Sequence, residues 1–347
     1  MRKITTVFIP LLLLAAFAPG AVFAGDARVL HVFTWEGYFA PETVRLFEER
    51  NRCRVEFDHY DSNDTMFAML ADGGGYDVIT PVANLATQMA RAGHILPLDR
   101  ALLPNLKYLD RKTVHLKPDT ETLFGVPYTV TVTGVGYNRR LVPEDALGSW
   151  RIFDNGAFGK KMTMINDVRE AVGAALKLLG YSINTVDATE IRAAGEVVKK
   201  WKRNLAAFEV DRAKEGLRGG TFAAIQAYNG DVALIIADNP EIGFYIPREG
   251  SALNADDFVI GADTAVSDLA HAFINHYLDP EIAAMNMAAI YFYMPNPEAL
   301  EKLAPELRDN PAFMISDDIM AKSEMIIAVE DEQGLYDEVW SDILLSQ

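Results

Sequence analysis

Apolar positions in the first hundred residues follow two alternating periods. RVLHVF (28–33), RVEFDHY (54–60) and YDVITP (76–81) are short apolar-rich runs that read as strands. Between them, APETVRLFEER (40–50) spaces its apolar residues a helical turn apart, with Pro41 in the first turn. Residues 63–70 form a second helix, broken by Gly73-Gly74-Gly75, and NLATQMARAG (84–93) forms a third, ended by Gly93. This alternation predicts right-handed βαβ units and a mostly parallel sheet. Ligands of such sheets sit beyond the carboxyl ends of the strands. Trp35 and Tyr38 fall just past the first of those ends.

A long extended passage follows at Leu123–Gly136, including GVPYTVTVTGVGYN, and is the first candidate crossing between two domains. A second α/β set then begins. KMTMIN (161–166) is a strand, and REAVGAALKLLGY (169–181) and TEIRAAGEVVKKWK (189–202) are helices. FAAIQAY (222–228) is a strand closed by Asn229-Gly230, and a short helix follows at 231–237. GFYIP (243–247) is a strand and the second candidate crossing. DFVIGA (257–262) returns to strand, helices follow from Ser267, and the last spans about Asp331–Leu344 with Tyr336 and Trp340.

The amino terminus lies outside this pattern. MRK, the apolar run VFIPLLLLAAFA and the small-x-Ala site Val22-Phe23-Ala24 predict a secretory signal peptide at residues 1–24. No Cys lies near the cleavage point, so no lipid anchor is expected. The remaining length suits two domains. The chain holds 32 basic and 49 acidic residues. That excess disfavours nucleic acid, whose phosphates it repels, and favours cationic ligands. Cys53 is the one cysteine. It excludes an intrachain disulfide and reads as a half-buried strand-entry residue rather than a nucleophile.

Enzyme motifs fail. GxSxG, HExxH and GxxxxGK[ST] are all missing, and His271 and His276 are spaced wrongly for one helix face. Asp61-Ser62-Asn63-Asp64 begins like a calcium loop but lacks the later Gly and Glu. Asp167-x-x-Glu170 and Asp187-x-x-Glu190 share a capping-box form, and from residues alone either is a cap or a site. In Tyr228-Asn229-Gly230-Asp231, the Tyr can be core and the Asp a helix cap. Asp256-Asp257 opens a strand, where acids are ordinarily solvated, and Tyr291-Phe292-Tyr293 reads as core. Together these supply aromatics and carboxylates at element ends in both halves. That is chemistry for an ammonium ligand: cation–π contacts worth about 0.5–2 kcal/mol each, and charge-assisted hydrogen bonds.

FTWEGYFAPETVRLFEE, HYDSNDTMFAML, GYDVITP, PLDRALLPNLKYLD, VPYTVTVTGVGYN, NDVREAVGAALKLLGYSINTVD and AYNGD, in this order, resemble the periplasmic polyamine-binding proteins of spermidine/putrescine ABC transporters. The resemblance covers essentially the whole mature chain. It implies a two-lobed α/β clamp, with residues 25–130 and 255–297 in one lobe, 131–254 and 298–347 in the other, and crossings near 129–132 and 248–254. It implies ligand contacts from Trp35, Tyr38, Asp167, Glu170, Tyr228, Asp231, Asp256 and Tyr293, with Phe292 taking the last place under a one-residue shift. It implies a monomer in the periplasm serving a membrane permease, with no catalytic residue, metal or cofactor. Three positions depart from the family: Val82-Ala83-Asn84 after the third strand, Asn254 in place of an aromatic, and Ile326 where a glutamine falls. These departures favour putrescine over spermidine. The alternatives are the same fold with another cationic amine or amino-acid derivative, and a hydrolase using Asp167 and Glu170 as paired carboxylates.

Overall fold

The computed structural model describes residues 28–346 apart from 61–62, 111–121, 309, 311, 314–316, 328 and 330–332. The expected signal segment, Asp61-Ser62 and the first residues of the expected last helix lie outside the described residues. The strands are β1 (Arg28–Thr34), β2 (Cys53–His59), β3 (Val78–Ile79), β4 (Ile95–Leu96), β5 (Val126–Asn138), β6 (Met162–Met164), β7 (Leu205–Phe208), β8 (Ala224–Tyr228), β9 (Ile242–Tyr245), β10 (Ala252–Gly261) and β11 (Glu324–Met325). Their main order is β2-β1-β3-β10-β5-β8-β6-β7.

Two lobes share this path. In the first, β1 runs parallel to β2 and β3, as the βαβ alternation predicts. In the second, β6 runs parallel to β7 and β8. The strands that carry the chain between lobes are antiparallel, so each lobe's sheet is mixed rather than mostly parallel. β5 pairs with β10 up to Val132 and with β8 from Thr133 onward. β5 thus changes partner between Val132 and Thr133. β9 pairs with β5 inside the second lobe, so GFYIP is not a crossing. The chain returns instead through β10, whose start at Ala252 lies within the 248–254 window.

Each lobe has its own core. Leu30, Val32, Phe47, Tyr128, Phe258, Phe273 and Tyr277 build the first. Val135, Trp150, Met164, Leu176, Trp201 and Tyr336 build the second. Ala299, Leu303 and Phe313 pack in the first core, whereas Val329, Val339 and Ile343 pack in the second. The final return to the second lobe thus comes later than residue 298, because buried apolar residues hold 299–303 to the first lobe.

Local chemistry explains the elements that position the site. Asp167 caps the helix Val168–Leu179 by accepting from the N–H groups of Arg169 and Glu170, and Gly180 ends it in the left-handed region. The unforeseen elements include β4, β7, β11 and the helix Asp211–Arg218. That helix buries only Ala213 and Leu217, too narrow a stripe to stand out among charged neighbours. Cys53 is buried at the first position of β2.

Candidate functional site

β1 ends at Thr34, and Trp35 and Tyr38 follow on a turn containing Gly37 at φ 76°. The Tyr38 hydroxyl donates to Asp256 Oδ2 at 2.9 Å, and the Thr129 hydroxyl donates to the same oxygen at 3.0 Å. The Trp35 indole N–H adjoins this carboxyl without reaching hydrogen-bond geometry. Asp256 is buried in the middle of β10, not solvated at a strand opening, because the strand begins five residues earlier than DFVIGA suggests. A register shift at Asp256/Asp257 lets both acids point away from solvent. Burial pushes the Asp256 carboxyl up to about 6, against the hydrogen bonds that hold it down.

Glu170 supplies the second buried carboxyl, at 2 % exposure in the first turn of its helix. Asn254 Nδ2 donates to its Oε1 at 2.6 Å, and its Oε2 has no hydrogen-bond partner. Burial first, and the charge of Asp167 second, push Glu170 up to about 7. The Arg169 guanidinium beside it is bound to Ile183 O, Ile327 O and Asn184 Oδ1, and it stacks over Tyr336.

Both D-x-x-E motifs are caps. Asp167 Oδ1 accepts at 2.7 and 3.1 Å, and Asp187 Oδ1 at 2.7 and 3.3 Å. Only the first motif also buries its glutamate; Glu190 instead accepts from Thr185. Asp167 is itself exposed, so it acts here as a cap whose charge reaches Glu170 and Tyr228.

Tyr228 ends β8 at the meeting point of these groups. Its hydroxyl is held well above its ordinary range by burial, then by Glu170, Asp167, Asp231 and Asp256. One phenol thus feels all four acids singled out from the sequence. Asp231 stands in the first turn of the helix Asn229–Asp238, 3.6 Å from Lys214 Nζ. Tyr293 packs against the first core, and burial together with Asp110 raises its hydroxyl to about 12. Its neighbour Phe292 lies beside the other site residues, with its ring centroid 5.3 Å from Tyr38. The geometry thus favours the one-residue shift.

Sequence reasoning missed Tyr60, Thr129 and Lys214. Tyr60 lies 4.5 Å ring to ring from Trp35, and its hydroxyl donates to Thr80 O at 2.6 Å. It follows β2 as Trp35 follows β1, so the rule that found Trp35 could have found it. The departures are also placed. Val82 forms an isolated bridge with Asp256, and the Oδ1 of Asn84 is buried without a partner. Ile326 is buried with Ile183 and Ala252. Among the described residues, no group of three or more acids, histidines or cysteines is arranged to hold a metal ion. No described helix is long and apolar enough to cross a membrane.

Two α/β lobes joined by adjacent crossing strands, with buried carboxyls and aromatics gathered where they meet, define a bilobed solute-binding protein. Residues 42–315 match the family of bacterial extracellular solute-binding proteins, and the chain belongs to that family. A putrescine/cadaverine-binding protein of Pseudomonas aeruginosa is 32% identical, over 96% of this chain and 99% of the relative. A spermidine/putrescine-binding periplasmic protein of Salmonella typhimurium is 28% identical, over 94% and 95%. The solved structure of a spermidine/putrescine ABC transporter substrate-binding protein from Streptococcus pneumoniae superposes with a TM-score of 0.84 at 25% identity, covering 92% of this chain and 99% of that one. The chain is a transport receptor and not an enzyme, which removes the hydrolase alternative.

Proposed function

We propose that the protein captures a linear diamine, putrescine foremost, in the periplasm and delivers it to an ABC permease. The observation that carries this reading is the pair Glu170 and Asp256. Both are buried, and among the described residues neither forms an ion pair. Uncompensated buried carboxyls are costly, and a ligand ammonium relieves that cost. Each carboxyl takes one ammonium end. Trp35, Tyr38, Tyr228 and Phe292 cover the methylene chain and offer ring faces to the charge. Closure follows because the ligand binds the closed arrangement better than the open one. The names of the relatives point the same way.

Titration calorimetry of the mature protein with putrescine, cadaverine, spermidine and agmatine tests the reading. Putrescine and cadaverine bind in the micromolar range or tighter, and Asp256→Ala and Glu170→Ala each cost at least tenfold. Absence of heat with every linear amine would overturn it.

A further inference from the structure

Lys214 lies in the helix Asp211–Arg218 of the second lobe, and its ammonium stands between two acids of different kinds. Asp211, at 3.0 Å, is a surface residue with 90% of its side chain exposed. Asp231, at 3.6 Å, has only 19% exposed. Asp231 stands at the cleft end of its helix: it follows Gly230, which packs directly against Phe292, and lies in the first turn after Tyr228, with Phe292 in turn 5.3 Å from the Tyr38 ring. The protein has therefore brought its own ammonium to an acid that the sequence assigned to the ligand.

We propose that Lys214 sets the charge of the ligand: by occupying Asp231 it leaves two carboxyls, Glu170 and Asp256, for bound ammonium groups, so that the cleft selects a dication over a trication. This rests on the amine reading above and deepens it. Charge balance is the physical reason. In a site that excludes water, each ligand ammonium needs a carboxylate of its own, and a third ammonium brought near Lys214 meets repulsion instead. Like-charge exclusion of this kind is a repulsive element that discriminates against the wrong ligand. The lysine acts through Asp231 rather than by touching the ligand. Its flexible four-carbon stem carries the ammonium from the helix Asp211–Arg218 to Asp231.

The test measures the dissociation constants of putrescine and spermidine by calorimetry at pH 7.5 and reads their ratio. In Lys214→Met, Asp231 is released, and the preference for putrescine over spermidine falls by tenfold or more. Lys214→Arg keeps the charge and retains the parental ratio. In Lys214→Met/Asp231→Asn, the gain for spermidine disappears, because the released carboxylate is gone. Asp231→Asn alone leaves Lys214 paired to Asp211 and uncovers its charge on the Asp231 side, so both amines bind more weakly. A merely structural role for Lys214 would weaken both ligands in parallel. An unchanged ratio in Lys214→Met, with tight putrescine binding retained, would overturn the proposal and leave the amine reading standing. Failure of every amine to bind the parent would overturn both. Circular dichroism melts of each variant separate misfolding from altered selectivity.

Discussion

Asn254 Nδ2 donates to Glu170 Oε1 at 2.6 Å and ties the returning strand β10 to the first turn of a second-lobe helix. The position that lacks the family's aromatic thus holds a hydrogen-bond donor for one of the two buried carboxyls. That bond favours the ionised form of Glu170, the form an ammonium needs. Asn254→Ala raises Glu170 further and weakens putrescine binding about tenfold at pH 7, on the scale of one charge-assisted hydrogen bond. At pH 8.5 the deficit shrinks, because Glu170 is ionised in parent and variant alike. Equal affinity at both pH values would remove Glu170 from the ligand set.

Proton release gives a second prediction. In the empty cleft Glu170 titrates at about 7 and Asp256 at about 6. An ammonium ligand binds the ionised forms, so binding between pH 6 and 7 expels protons, and the measured enthalpy varies with buffer ionisation. At pH 8.5 this dependence vanishes. Stability of the empty protein moves oppositely. Both acids keep protons that the unfolded chain has lost above about pH 4.5, so their contribution is full below that pH and is lost as pH rises through 6 and 7. Glu170→Gln and Asp256→Asn therefore stabilise the empty protein at pH 8 by up to about 3 kcal/mol each, and by much less at pH 5. Melting curves at the two pH values check the sign.

Legibility from sequence followed the range of the forces involved. Strand–helix alternation, the cap at Asp187, and the place of Trp35 and Tyr38 past β1 are local, and local patterns predict them; Asp167, which the resemblance assigns to the ligand, caps its helix. β10 was half missed because ALNADDFVIG mixes acids into a buried strand, and the burial of Asp256 depends on a bulge and on β5 alongside. Lys214 could not be seen, since its partner lies seventeen residues on in another helix. Phe292 and Tyr293 differ by one step in an irregular segment. There the left-handed Tyr291 at φ 61° decides which ring faces Tyr38.

Gly230 makes a close approach that no other residue could. A Cβ there would stand 2.7 Å from Phe292 Cδ1 and 2.9 Å from the Tyr291 carbonyl oxygen. Backbone cannot yield as a side chain can. Gly230→Ala therefore props apart the helix Asn229–Asp238 and the 291–293 segment, and it weakens putrescine binding tenfold or more. Phe292→Ala on top recovers the loss only in part, because the carbonyl contact remains. Small-angle scattering shows ligand-induced compaction in the parent and a smaller change in Gly230→Ala. Parental affinity and compaction in that variant would show that this contact does not govern closure.

Tyr38 has two separable roles, a ring against Phe292 and a hydroxyl on Asp256. Tyr38→Phe keeps the ring and removes the donor. Since Thr129 donates to the same Oδ2, the two hydroxyls share the task of keeping Asp256 ionised. Removing either one lets burial push Asp256 above about 6, and removing both leaves its charge far less supported. Tyr38→Phe and Thr129→Val should each weaken putrescine binding about threefold to tenfold at pH 6 and less at pH 8, and their effects should not add, as expected for groups on one acceptor atom. Tyr38→Ala adds a loss that is independent of pH, from the missing ring. A silent Tyr38→Phe at pH 6 beside a large effect of Tyr38→Ala would assign Tyr38 to the wall of the cleft alone and leave Asp256 to Thr129.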